Sequence, residues 1–149
     1  MFRGHFEHAI DEKGRTSLPA RFREVLGPNP DYRLVVTPAL GDPCLDVYPM
    51  AAWEKLESKL AELNAFDPQV VEFRRFYVSA AVEVEIDKQG RILVPPSLRE
   101  HASLNKSAMW LGHGQKAELW AKENWLTLAR EKNPADLREL RAAMGKLGL

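Results

Sequence analysis

Ile86-Asp87-Lys88-Gln89-Gly90-Arg91-Ile92-Leu93-Val94-Pro95-Pro96-Ser97-Leu98-Arg99-Glu100 restates Ile10-Asp11-Glu12-Lys13-Gly14-Arg15-Thr16-Ser17-Leu18-Pro19-Ala20-Arg21-Phe22-Arg23-Glu24. Laid on each other without a gap, residues 6–24 and 82–100 agree at eight of nineteen positions. Unrelated segments of that length share roughly one. The chain is therefore an internal duplication, and the fold of one copy is expected again in the other.

At 149 residues with 45% apolar content, the chain can form one ordinary domain or two small, intimate halves around a packed core. Twenty-one basic and twenty-one acidic side chains cancel, so any site for a polyanion requires charges segregated onto one face. A lone cysteine, Cys44, rules out an intrachain disulfide framework and fits a reducing compartment, where it reads as a small buried filler. The opening Met1-Phe2-Arg3-Gly4-His5 lacks the apolar run of a signal peptide, and no stretch approaches the roughly eighteen apolar residues of a membrane span. A globular protein of the cytoplasm is the expectation.

Phe6, His8 and Ile10 alternate with Glu7 and Ala9, the period of a strand with one covered face. Asp11 to Gly14 breaks the pattern as a tight turn, with glycine supplying a positive φ, and Arg15 to Leu18 runs on as a second strand. Pro19 suits the first turn of a short helix carrying Phe22, Val25 and Leu26 on one face and ending at Gly27. Arg33–Thr37 and Cys44–Tyr48 flank the turn-forming Gly41-Asp42-Pro43 as a hairpin. Pro49 then opens an amphipathic helix with Met50, Trp53, Leu56, Leu60 and Leu63 on its apolar side.

Asp67-Pro68 opens another helix, with Val70, Phe73 and Tyr77 on one face, that is expected to have no counterpart in the second half and to join the two. The second copy repeats the order through Val82, Val84 and Ile86, the turn, Arg91 to Val94, and a helix from Pro95 to about Ala102. A hairpin of Ala108–Leu111 with Ala117–Trp120 and a helix carrying Trp125 and Leu128 follow. From Pro134 onward, Leu137, Leu140, Met144 and Leu147 share one helical face outside the duplication. That stripe either docks on the chain's own core or meets a neighbouring chain.

The two Asp-x-x-Gly-Arg turns are the candidate chemistry. In a structural reading, Asp11 and Asp87 accept local amides or pair with Arg15 and Arg91 while Gly14 and Gly90 supply the backbone angle. In a functional reading, those arginines, with Lys13 and Lys88 beside them, offer cationic donors to phosphates or to guanine edges in a groove. The two readings are compatible, since a pinned arginine loses less side-chain entropy on binding.

Other patterns fail on mechanism. Gly112-His113-Gly114-Gln115-Lys116-Ala117 has the letters of a dinucleotide fingerprint, but a strand rather than a helix follows it, so a hairpin turn is expected. His5 and His8 lie three apart on a strand and point to opposite faces, and no cysteine cluster completes a metal site. There is no Gly-x-Ser-x-Gly and no phosphate-binding loop, so no catalytic residue, metal or cofactor is assigned.

Met1-Phe2-Arg3-Gly4, the paired Asp-x-x-x-Arg turns at 11–15 and 87–91, and Pro43-Cys44-Leu45 running into Tyr48-Pro49 closely resemble the MraZ family of bacterial transcriptional regulators, over essentially the whole chain. The resemblance implies an α+β, β-rich fold. Two SpoVT-AbrB units, 5–52 and 81–124, would form one pseudo-two-fold, swapped-hairpin, double-psi-like β-barrel, with a helical connector at 53–80 and a helical tail at 125–149. Open strand edges on a lone unit are a physical reason for the copies to interlock.

It also implies double-stranded DNA at repeated promoter boxes as partner, assembly into a homo-oligomeric ring, no membrane or small-molecule substrate, and a place in the cytoplasm and nucleoid. Control of the division and cell-wall gene cluster, including the protein's own promoter, would follow. Carried over by residue, the DNA-binding set is Arg15 and Arg91, then Lys13 and Lys88, with Arg3 an extra. Asp11, Gly14, Asp87 and Gly90 would fix the turns, and Arg21, Arg23 and Arg99 on the short helices are expected to be solvated or interfacial. The alternatives are an antitoxin-like AbrB module and a ring-forming protein scaffold.

Overall fold

The computed structural model describes residues 1–28 and 32–149. Among them are eight strands, all paired antiparallel, six α-helices and one π-helical turn, a mixed α+β architecture. In the first half the order is β1 (His5–Ala9), β2 (Arg15–Ser17), α1 (Ala20–Val25), β3 (Arg33–Pro38), β4 (Cys44–Pro49), α2 (Met50–Ala61) and α3 (Pro68–Phe73), the last continuing into a π-turn, Arg74–Val78. The second half has β5 (Val82–Glu85), β6 (Arg91–Leu93), α4 (Pro96–His101), β7 (Ser107–His113), β8 (Lys116–Ala121), α5 (Lys122–Glu131) and α6 (Pro134–Lys146). The repeat thus extends one helix further than the sequence suggests, because α6 follows α5 as α3 follows α2.

The halves interlock through their strands. Each half's hairpin, β3–β4 or β7–β8, receives the first strand of the other half, giving a six-stranded sheet ordered β1-β7-β8-β4-β3-β5. The second strands, β2 and β6, leave that sheet and pair with each other. This departs from the simple reading of strand, tight turn, strand. β1 and β2 touch only at the Ile10–Thr16 bridge, and β2 finds its partner across the molecule. The two pairings that join like strands are centred on Thr16 opposite Ile92 and Asp46 opposite Glu118. A pseudo-two-fold axis runs through both.

Equivalent positions fill one shared core. Ile10 and Ile86, Leu18 and Val94, and Phe22 and Leu98 are buried together under the sheet with Leu34, Val36, Leu45, Trp110 and Leu119. Phe22 is fully buried and meets Phe2, Phe6 and Trp110 edge-on at centroid distances of 5.1, 5.4 and 6.0 Å, the geometry ring quadrupoles favour.

Helix limits follow local chemistry. Asp67 caps α3 by accepting the Gln69 amide at 2.8 Å, and Pro68 follows it. Pro19 and Pro49 sit one position earlier than expected, as extended N-cap residues with ψ of 139° and 149°. Val25 and Leu63, expected on buried faces, are 41% and 54% exposed, whereas Leu26, next to Val25, packs against the core. The dinucleotide-like run is a hairpin, with Gly114-Gln115 at its tip between β7 and β8. No helix among the described residues is long and apolar enough to cross a membrane.

The last helix answers the question left open by its stripe. Leu137, Leu140 and Leu147 are 53%, 57% and 76% exposed, so α6 does not dock on this chain's own core. In the first half, Phe73 and Tyr77 cover Val35, Tyr48 and Trp53. Among the described residues no such helix lies over the matching face of the second half, Met109, Trp120 and Trp125.

A Phe22→Ala substitution should lower the free energy of unfolding in urea by about 3–5 kcal/mol, since nothing nearby can refill the volume. Val25→Ala on the same helix should change it by about 0.5 kcal/mol or less.

Candidate nucleic-acid interface

Each turn is built by its aspartate. Asp11 Oδ1 accepts the backbone amides of Lys13 at 3.0 Å and Arg15 at 2.8 Å, while Oδ2 accepts Arg15 Nε at 2.6 Å. The chain closes behind it, with Asp11 N donating to Arg15 O at 2.9 Å and Gly14 N to Asp11 O at 3.0 Å. Asp87 repeats the arrangement on Gln89 N, Arg91 N and Arg91 Nε, all at 2.9 Å. Gly14 and Gly90 have φ of +88° and +77°, where a side chain would be strained.

These bonds set the charge state. The backbone hydrogen bond from Arg15, followed by its guanidinium, outweighs desolvation and holds Asp11 below the ordinary carboxylate range, and Arg91 does the same for Asp87. Both ion pairs run through Nε, at 2.6 and 2.9 Å, with the arginine side chains 33% and 30% exposed. Among the described residues the terminal amino groups of Arg15 make no hydrogen bond, and those of Arg91 make one long bond, from Nη2 to Gln89 Oε1 at 3.4 Å. An arginine fixed at Nε and free at its fork is pre-organised for an anion or a base edge.

Direction comes from the β2–β6 ribbon. Its register pairs Arg15 with Leu93, Thr16 with Ile92 and Ser17 with Arg91. Thr16 and Ile92 are each 1% exposed and face the core, so alternation sends Arg15, Ser17, Arg91 and Leu93 to the opposite, outer face. Arg15 and Arg91 are diagonal neighbours on it, and such positions lie about 7–8 Å apart. Lys13 and Lys88 are exposed at the turn tips beside them. Arg3, also exposed, precedes β1, whereas the first turn follows it, so a strand's length separates the two. Arg3 lies instead beside Gly112 on β7.

Two features escaped the reading of the sequence. Arg99, half-buried, and Arg23 reach across to the turns of the opposite halves. Around the far end of the axis, Asp46 is 3% exposed, with Lys116 Nζ 2.7 Å from its Oδ1 and the Tyr77 hydroxyl donating to its Oδ2 at 2.5 Å. The lysine contact lies off hydrogen-bond alignment and is an ion pair. Burial pulls Lys116 down, but Asp46 outweighs it and the ammonium is favoured. Cys44, Asp46 and Glu118 bring donor atoms within 4.8 Å of one another. There the Lys116 ammonium already neutralises Asp46, and burial with the neighbouring carboxylates pushes the Cys44 thiol up, so the group reads as a satisfied structural cluster. No sequence motif marks it, since its members come from β4, β8 and the π-turn.

Comparison with known proteins gives this geometry a family. The family model described as "MraZ protein, putative antitoxin-like" matches twice, over residues 1–76 and 77–146. "Transcriptional regulator MraZ" of Azotobacter vinelandii is 42% identical over 147 residues, 99% of this chain and 94% of the relative. Its namesake in Clostridium acetobutylicum is 40% identical over 149 residues, the full length of both, and that of Pelotomaculum thermopropionicum is 50% identical over 125 residues, 84% of this chain and 83% of the relative. With both halves matched and relatives aligned end to end, the chain belongs to the MraZ family.

Proposed function

We propose that this protein is a sequence-specific, DNA-binding transcriptional regulator and not an enzyme, reading a DNA duplex with the outer face of the β2–β6 ribbon. One observation carries the reading: Arg15 and Arg91 leave the same face of one ribbon, each held at Nε by its own aspartate. A two-stranded ribbon fits a major groove, where an arginine fork matches guanine O6 and N7 or a phosphate. Lys13 and Lys88 flank the pair as backbone contacts, and Arg3 is at most a remote one. The relatives' name, transcriptional regulator, agrees.

In this reading the units at 5–52 and 81–124, linked by 53–80 and followed by the tail at 125–149, wrap as a swapped-hairpin barrel that aims both turns one way. Several copies then form a ring, and weak contacts to repeated boxes add through effective concentration, so net neutrality is no obstacle. Support for assembly comes from α6, whose leucines face solvent while an equivalent surface in the first half is covered. Action in the cytoplasm and nucleoid, on the division and cell-wall genes and the protein's own promoter, completes the proposal.

The decisive measurement is anisotropy with promoter DNA from upstream of the protein's own gene. Arg15→Ala should cost about 1–3 kcal/mol of binding per site, and the Arg15→Ala/Arg91→Ala double variant should abolish specific binding while remaining folded. Undiminished binding by that variant would remove both residues from the interface. Affinity should also fall steeply with salt, whereas a protein scaffold's contacts would not.

Leu137→Asp with Leu140→Asp should reduce the mass measured by light scattering if α6 joins copies; an unchanged mass counts against it. Carboxyl resonances of Asp11 and Asp87 should titrate below the usual value of about 3.9. Since a depressed folded pKa stabilises above the unfolded one and is lost as pH falls through the folded one, turn order should persist to about pH 4 and disappear below it.

A further inference from the structure

The glycine of each turn lies against an arginine from the opposite half. A Cβ placed on Gly14 would come within 2.6 Å of Arg99 Nε and Cζ and 2.9 Å of its Cδ. One placed on Gly90 would overlap Arg23 Nη1 and lie 3.1 Å from its Cζ. Contacts below about 3.0 Å cannot be accommodated without movement, so each guanidinium lies directly on the turn's glycine. Arg23 and Arg99 occupy equivalent places in the duplication, on α1 and α4, and each crosses to the opposite half.

Backbone bonds complete the crossing. Val94 N donates to Gly14 O at 3.0 Å, and Leu18 N donates to Gly90 O at 2.8 Å. Arg99 is additionally tied down, its Nε donating to Val94 O at 3.0 Å. Arg23 makes no hydrogen bond among the described residues and is exposed, so the first turn has the firmer brace. Bracing of this kind limits the ways a turn can move before it binds, which lowers the ordering cost of binding.

We propose that Arg99 and Arg23 are positioning residues for DNA readout: Arg99 sets the Arg15 turn and Arg23 sets the Arg91 turn, so each turn's aim is encoded in the other half. The proposal rests on the reading of the turns as the DNA-binding surface. It makes the Arg15 turn the more pre-organised of the two, and so the one suited to stereospecific base contact.

The test uses the full-length protein and promoter DNA in a double-mutant cycle, with the slope of log affinity against log salt measured for every variant. Arg99→Ala should weaken binding about 2- to 10-fold, the cost of ordering one long side chain, without lowering that slope. Combined with Arg15→Ala it should add almost nothing, whereas combined with Arg91→Ala the losses should multiply to within about twofold. Arg23→Ala should show the mirror pattern with a smaller loss. Arg99→Lys keeps the charge but not the plane or the Nε donor, so it should remain impaired.

A salt slope reduced by about one would make Arg99 a phosphate contact instead, and full multiplicativity with Arg15→Ala would make it independent of the turn. Either result, or rescue by lysine, overturns the proposal. Amide spectra without DNA separate it from the reading beneath it. Arg99→Ala should shift Gly14 and Arg15 while leaving Gly90 and Arg91 in place, whatever Arg15→Ala does to affinity, and unmoved turn resonances would also sink the brace.

Discussion

The three-residue pairing of β2 with β6 is the constraint on which the rest depends. Neither strand is long enough to persist alone, and each lies beyond a turn that carries it away from its own first strand. Pairing across the axis places Thr16 opposite Ile92, and burial of both fixes which face looks outward. A one-residue slip would send Arg15 inward and a core residue out, so the register decides which side chains the outer face carries. Burial of Ile10, Leu18, Ile86 and Val94 on either side of the ribbon opposes that slip.

At the other end of the axis the symmetry is deliberately imperfect. Asp46 and Glu118 face each other in the β4–β8 pairing, yet Asp46 is buried against Lys116 and Tyr77, while Glu118 accepts Trp120 Nε1 at 3.2 Å. The Tyr77 hydroxyl also meets that of Tyr48 at 2.6 Å, and Thr37 donates to the Tyr77 carbonyl at 2.6 Å. Tyr77 reaches the cluster from the π-turn, where one extra residue per turn shifts the side chain around the helix. Removing one member of such a buried pair is costly because the other charge is stranded, so the network ties the connector to the centre of the sheet.

This asymmetry leaves the helix pairs in different situations. α3 and the π-turn lie over Tyr48 and Trp53, whereas α6 leaves α5 after only Lys132 and Asn133. Asn133 fixes that corner through a reciprocal cap with Asp136, accepting the Asp136 amide at 2.9 Å and donating to its carboxylate at 3.0 Å. The six residues between α2 and α3 allow a fold-back that two do not. An exposed leucine stripe on a rigid corner is a surface of the kind that marks contact with another molecule.

The sequence by itself determined whatever is local. The duplication, the hairpins, the amphipathic periods of α2 and α5, and the Asp-to-amide bonds two and four residues along are all written in neighbouring side chains. So was the geometry of the candidate turns, Asp11, Gly14 and Arg15 with their counterparts 87, 90 and 91. Strand partnership was decided only by the tertiary structure, because both halves carry the same alternation and a pattern shared by two copies cannot say which copy a strand pairs with. For the same reason the sequence could not place Arg99 over Gly14, bring Lys116 to Asp46, or leave α6 uncovered: those contacts join residues from separate elements, and their energies depend on distances that periodicity does not encode.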